Sequence, residues 1–190
     1  MSDDFAAARL NMVESQVRPS DVTDLAIQDA IRIVPRHTLA PPAKAYAAYA
    51  DAELEYAPGR WLLRPRYVAK LLQALTPKPG ESALAIAAPY AAAVLEAMGL
   101  TVTRLDGEDL TAVPGGNYDL IICEGAVTRA PDAWTAALAI GGRLGLIERN
   151  GPTGKAVVYV QAADGAGARP EFDAAPPYLA GFEPAHGFAF

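Results

Sequence analysis

Apolar positions change their spacing near residue 80, and that change divides the chain in two. Upstream the period is helical. Phe5, Leu10, Val13 and Val17 share one face of a predicted helix over 4–17. Leu25, Ile27, Ala30, Ile31 and Val34 mark a second over 22–33, with Ser20 or Asp21 placed to cap it and Pro35 to end it. The alanine-rich stretch 43–52 predicts a third, while 53–63 shows no period and reads as irregular. Pro65 opens a helix to residue 75, and Val68, Leu71, Leu72 and Leu75 form its buried stripe. Thr76-Pro77-Lys78-Pro79-Gly80 breaks the pattern.

Downstream, short apolar runs alternate with helical ones. Strands are predicted over 82–87, 101–105, 118–123, 143–148 and 156–161, and helices over 90–98 and 132–140. Asn150-Gly151 marks a turn between the last two strands, and 169–182 carries one further edge strand. The alternation implies an α/β fold whose sheet is mostly parallel with an antiparallel edge. A helical lobe over 1–76 and a sheet domain over 80–190 are expected to form one compact unit.

Composition narrows the function. At 190 residues, 52% hydrophobic and 20% charged, the chain is long and apolar enough for a real core. A net charge of −6 and a pI near 4.9 oppose nucleic-acid binding and attachment to anionic membranes. The most apolar stretch, 81–96, is too short to span a bilayer and contains Pro89. Cys123 is the single cysteine, so no intrachain disulfide forms. Met1-Ser2-Asp3-Asp4 is acidic where a signal peptide is basic, and a cytoplasmic location is expected. His37 and His186 lack metal-ligand spacing, and no metal site is expected.

Several segments carry a resemblance. Asn11-Met12-Val13-Glu14-Ser15-Gln16-Val17-Arg18, then Asp21-Val22-Thr23-Asp24 and Val34-Pro35-Arg36, come in order along the chain. GRWLLRPRYVA from Gly59 to Ala69, the 126–142 region and the tail FDAAPPYLAGF follow. Together they resemble the bacterial protein-L-isoaspartate O-methyltransferases over nearly the whole chain. The resemblance implies methyl transfer from S-adenosylmethionine to isoaspartyl carboxylates. It also implies a reduced methyltransferase-type Rossmann sheet with an N-terminal helical lobe.

Three departures bear on that activity. The family's strand and glycine-rich turn become Leu84-Ala85-Ile86-Ala87-Ala88-Pro89-Tyr90, with Ala85 at the expected acidic position and no glycine left. Glycine there lets the backbone approach a cofactor, and alanine at positive φ is costly. Leu63 replaces the serine that the family places near the accepting carboxylate, and leucine donates no hydrogen bond. Finally, only the eleven residues 107–117 join the strand ending near Asp106 to the strand starting at Tyr118. Eleven residues reach about 36 Å. That suffices to cross one strand and return, roughly 10 Å sideways and 20 Å lengthwise, but not to build another strand and its helices.

Asp106 and Glu124 remain as candidate cofactor-binding residues, each at the carboxyl end of a predicted strand. Asp106 is either a ribose ligand or a solvated carboxylate. Glu124 is a ligand contact, a helix-cap carboxylate or a loop residue. Cys123 reads as structural, since Glu124 beside it disfavours the thiolate. Arg60, Arg64 and Arg66 with Trp61 and Tyr67 form a basic and aromatic cluster, either a binding patch or a helix start. The C-terminal Phe188 and Phe190 are expected to dock on the body of the protein. No catalytic residue is assigned. The expectation is a non-catalytic family member without a cofactor, serving an unidentified protein partner or forming a homodimer through its shortened sheet. The alternative is an active methyltransferase with an atypical S-adenosylmethionine site.

Overall fold

The computed structural model describes residues 2–185. His186 and the aromatic C-terminus therefore lie outside the described residues. Helical spacing upstream yields α1 (Ser2–Met12), prolonged by a π turn to Val17 and a 3-10 turn to Ser20, and α2 (Leu25–Ile33). Asp24, rather than Ser20 or Asp21, caps α2. Its carboxylate accepts the amides of Ala26 and Ile27 at 2.8 and 3.2 Å. Asp21 instead takes a left-handed φ of 62° that closes the preceding turn. Leu25, expected on the buried face, is 69% exposed because it is the first residue past the cap.

Two local expectations fail in this lobe. The alanine-rich stretch is only 3-10 helix, Pro42–Ala47. Segment 53–63 is a hairpin, β1 (Leu54–Ala57) and β2 (Arg60–Leu62), turned at Gly59 with φ 65°. Strands of four and three residues are too short to display a period. α3 (Pro65–Leu75) forms as expected, with Pro65 in its first turn and Val68, Leu71, Leu72 and Leu75 buried.

The sheet follows from strands that are apolar on both faces. In β3 (Ser82–Ile86), Ala83 and Ala85 face the helical lobe while Leu84 and Ile86 face away. After α4 (Pro89–Ala97) and β4 (Thr101–Leu105), β5 (Tyr118–Val127) repeats the alternation, with Leu120 and Ile122 against Ile121 and Cys123. Helix 132–140 shrinks to α5 (Asp132–Ala136), since Leu138 already pairs with Tyr118. β6 (Leu138–Asn150), β7 (Thr153–Ala162) and β8 (Gly165–Asp173) complete the order β4-β3-β5-β6-β7-β8. The first four strands are parallel, and β7 and β8 add an antiparallel edge. β3 lies between β4 and β5, the single-strand crossing that segment 107–117 is long enough to make. Among the described residues no strand lies beyond β4. No helix among them is long and apolar enough to cross a membrane.

Helices α1–α4 cover one face. The other is covered economically. Leu110 from the crossing segment, Trp134 from α5 and Leu179 from the tail are buried there. The Trp134 indole N–H donates to the Leu110 carbonyl at 2.7 Å, pinning the crossing segment to α5. Leu179 N–H donates to Ala126 O, and Ala126 N–H to Pro177 O, both at 2.9 Å, so the tail crosses the end of β5. Gly125 permits that crossing. Its φ is 142°, and a Cβ there would overlap the Leu179 side chain. Gly125→Ala is therefore expected to destabilise by about 3 kcal/mol through combined strain and overpacking. Urea unfolding of the variant checks this, and an unchanged midpoint would contradict the tail placement.

Candidate functional site

Open parallel sheets build sites at the carboxyl ends of their strands. At that edge the turn after β3 begins with Ala87, whose N–H donates to Leu105 O at 2.8 Å. Ala87 adopts φ 44°, the left-handed conformation that glycine takes without strain. The turn geometry thus persists without glycine, at a cost of about 1 kcal/mol. Pro89 does not oppose it, because proline suits the first turn of α4. The methyls nevertheless fill the approach: Ala85, Ala88, Pro89, Arg104 and Asp106 enclose a cavity of about 40 Å³.

Glu124 lies deeper. Its carboxylate has no exposed surface. Oε1 accepts the Ala91 amide at 2.7 Å and Oε2 the Leu63 amide at 3.1 Å. Of the three roles left open by sequence, the geometry is that of a helix cap. Arg36 approaches from the lobe side, also fully buried. Its Nε donates to Ala48 O at 2.7 Å and its Nη2 to Leu63 O at 2.6 Å. The guanidinium lies over the Tyr90 ring, 4.6 Å from its centre. Leu63, itself buried, thus has its N–H on Glu124 and its C=O on Arg36. Sequence spacing singles out neither Arg36 nor Tyr90 as part of a site. A charge directly after Val34-Pro35 at the end of an apolar helix is the only hint it holds.

Asp106 sits at the mouth, 41% exposed. Its Oδ1 accepts the Tyr56 hydroxyl at 2.9 Å and lies 3.8 Å from Arg60 Nε. Arg60 Nη2 also donates to Gly107 O at 3.0 Å, so the β1–β2 hairpin is clamped over the end of β4. The basic cluster is otherwise internally paired. Arg64 meets Glu53 at 2.7 Å, Arg66 meets Asp51 at 3.3 Å, and both guanidinium groups lie near the Tyr67 ring. Cys123 is buried and its thiol is pushed up by burial and by Glu124. His37 bonds Tyr49 through Nδ1 at 2.8 Å and stacks on Phe5 at 4.1 Å. Among the described residues no group of three or more His, Cys, Asp or Glu is placed to hold a metal ion.

Sheet order, lobe and edge define the class, a Rossmann-like α/β domain of the methyltransferase type. No protein-family model matches the chain. Individual relatives do. It is 33% identical over 168 residues to the protein-L-isoaspartate O-methyltransferase of Methylorubrum extorquens strain PA1, a match covering 74% of each chain. It is 32% identical over 165 residues to that of Methylorubrum populi, covering 73% of this chain and 78% of the relative. The chain belongs to the protein-L-isoaspartate O-methyltransferase family. Its fold matches a Plasmodium falciparum protein-L-isoaspartate O-methyltransferase solved in complex with S-adenosyl-L-homocysteine. The TM-score is 0.74 at 15% identity, covering 90% of this chain and 97% of the other.

That comparison corrects one expectation drawn from the sequence. A fold of this outline was expected to carry no cofactor, yet the Plasmodium falciparum relative in fold holds S-adenosyl-L-homocysteine. The loss of glycines after the first strand made the absence look necessary; Ala87 shows that the turn itself survives. In the described conformation the residues still do not fit such a group. Ligand pockets for molecules of that size run to about 300 Å³ or more, against about 40 Å³ at this turn.

Burial pushes the Glu124 carboxyl up from its ordinary 4.5 to about 7, while Arg36 and the Ala91, Leu63 and Tyr90 amides pull it down. Between those values the folded chain keeps a proton that the unfolded chain releases, so stability falls as pH rises through the window. Below it both states are protonated and above it both are ionised. Stability of the native chain relative to Glu124→Gln should therefore drop by about 3 kcal/mol between pH 4.5 and 7. Urea unfolding of both proteins across that range checks it, and a flat difference would contradict a buried, raised carboxyl.

Proposed function

We propose that this chain is a protein-L-isoaspartate O-methyltransferase-like protein that takes a S-adenosylmethionine-type cofactor at the β3–β4 edge and has little methyl transfer to isoaspartyl carboxylates. Its role in this reading is to bind protein rather than to turn it over. The cofactor part is supported by family membership and by the S-adenosyl-L-homocysteine in the Plasmodium falciparum structure. Asp106 is read as the ribose ligand, a reading supported by its half-exposed position at the end of β4.

The suppressed transfer is carried by Leu63. Its side chain is fully buried, and Glu124 and Arg36 occupy both its peptide groups. Where the family resemblance implies a hydroxyl near the accepting carboxylate, the Leu63 side chain carries no donor. A hydrogen bond to a charged group contributes about 1.5–3 kcal/mol. Its loss corresponds to roughly 10- to 100-fold in rate. The partner is read as a protein, with a second copy of the chain the simplest choice because β4 ends the sheet with no strand beyond it among the described residues. The compartment assumed is the cytoplasm, since the buried thiol of Cys123 needs no oxidising surroundings.

A second reading, an active isoaspartyl methyltransferase, is favoured by the left-handed turn retained at Ala87. Radiolabelled methyl transfer to an isoaspartyl peptide separates the two. Turnover about 10- to 100-fold below that of the Methylorubrum extorquens relative is expected. Comparable turnover would establish the second reading instead.

A further inference from the structure

The two outer strands of the six-stranded sheet, β4 and β8, are protected very differently. An edge strand presents unpaired N–H and C=O groups that another strand can take up, and proteins blunt such edges with proline, bulges and charge. β8 is blunted in all three ways. Pro170 has no N–H to offer, the register against β7 shifts at Ala156 and Val157, and Arg169 and Glu171 set charges along the strand. β4 reads Thr101-Val102-Thr103-Arg104-Leu105, with no proline and no register shift against β3. Its β-branched Thr101, Val102 and Thr103 suit a strand.

The charge on β4 is also drawn off the edge. Arg104 Nη2 donates to both carboxylate oxygens of Glu96 at 2.9 and 2.8 Å, and Nε donates to one of them at 3.2 Å. The guanidinium is thereby held on α4 of its own chain and neutralised there.

The ladder to β3 fixes which backbone groups are free. The Thr101 amide donates to Glu81 O at 3.0 Å, and Leu105 O accepts the Ala87 amide at 2.8 Å. Alternate residues of a strand turn their peptide groups to the same neighbour, so Thr101, Thr103 and Leu105 bond toward β3. The N–H and C=O groups of Val102 and Arg104 point out of the sheet. They flank Thr103 symmetrically, which is the spacing that an identical strand running the opposite way completes. Val102 of each copy then lies opposite Arg104 of the other, and each such pair exchanges two hydrogen bonds. Thr103 meets its own counterpart on the two-fold axis, a favourable cross-strand pair. The patch is self-complementary, as a two-fold interface requires.

We propose that β4 is a self-pairing edge: two copies of the chain join Thr101–Leu105 antiparallel about Thr103 and form one continuous sheet. This rests on the reading above in which the partner is a second copy, and it names the strand and register that copy takes.

Sedimentation velocity of the full chain from micromolar to near-millimolar concentration tests this. The mass is expected to rise from 19.9 kDa toward twice that value. Amide exchange of Val102 and Arg104 should slow only at the high concentrations, while Thr101 and Thr103, already bonded to β3, stay protected throughout. Thr103→Lys sets like charges opposite each other and is expected to weaken association about tenfold or more. Thr103→Glu should do the same, and mixing the two variants should restore association. Val102→Pro removes an outward donor, spares the ladder to β3, and serves as the test should the Thr103 variants fail to fold. Thermal unfolding establishes which variants are folded. Association that the folded variants leave unweakened overturns the role of β4 and leaves a second copy as the partner. A native chain that stays monomeric throughout overturns both, while the cofactor and transfer parts of the proposed function stand.

Discussion

The two peptide groups of Leu63 join two buried ionisable side chains, one from the lobe and one from the sheet. Arg36 comes from the helical lobe, Glu124 from the middle strand of the sheet, and neither has exposed surface. They meet through backbone, with the Leu63 carbonyl accepting from Arg36 and its amide donating to Glu124. Burying either charge alone would cost several kcal/mol, roughly 3–5 when a partner is removed. Opposite charge and multiple amide donors offset that cost only if lobe, linking segment and α4 are all in place. The network therefore links the lobe to the sheet through buried hydrogen bonds at Leu63.

The same constraint bears on the edge where a site would lie. β3 and β4 end level at Ile86 and Leu105 while β5 runs on to Val127, and the turn at Ala87 keeps a left-handed backbone despite its methyl. Ala88 and Pro89 line the small cavity beside that turn, and deeper in the protein the Glu124 carboxylate takes the Ala91 amide. The β1–β2 hairpin is clamped by Tyr56 and Arg60 to Asp106, and the tail crosses β5 at Gly125.

Economy of cover explains how a shortened sheet remains viable. With a direct crossing from β4 to β5, one face has little regular structure over it. Leu110, Trp134 and Leu179 supply the apolar cover from a loop, a five-residue helix and the tail. The Trp134–Leu110 hydrogen bond gives the loop a fixed position that its sequence does not suggest.

Sequence alone determined the elements whose period is long enough to read. These are α2, α3 and α4, the apolar cores of β3 and β5, the mixed sheet, and the single-strand crossing enforced by eleven residues. It also determined family membership, since that rests on the order of short segments. It could not resolve strands of three or four residues in β1 and β2, nor the conversion of 138–140 from helix to strand, because those are decided by pairing partners far along the chain. It placed Asp106 and Glu124 at one edge but not their surroundings. Whether a carboxylate faces solvent, a ligand or two backbone amides depends on which distant peptides the fold brings within 3 Å or so. The closing of the edge is therefore a property of tertiary structure, for hydrogen-bond partners are selected by distance and leave no trace in spacing.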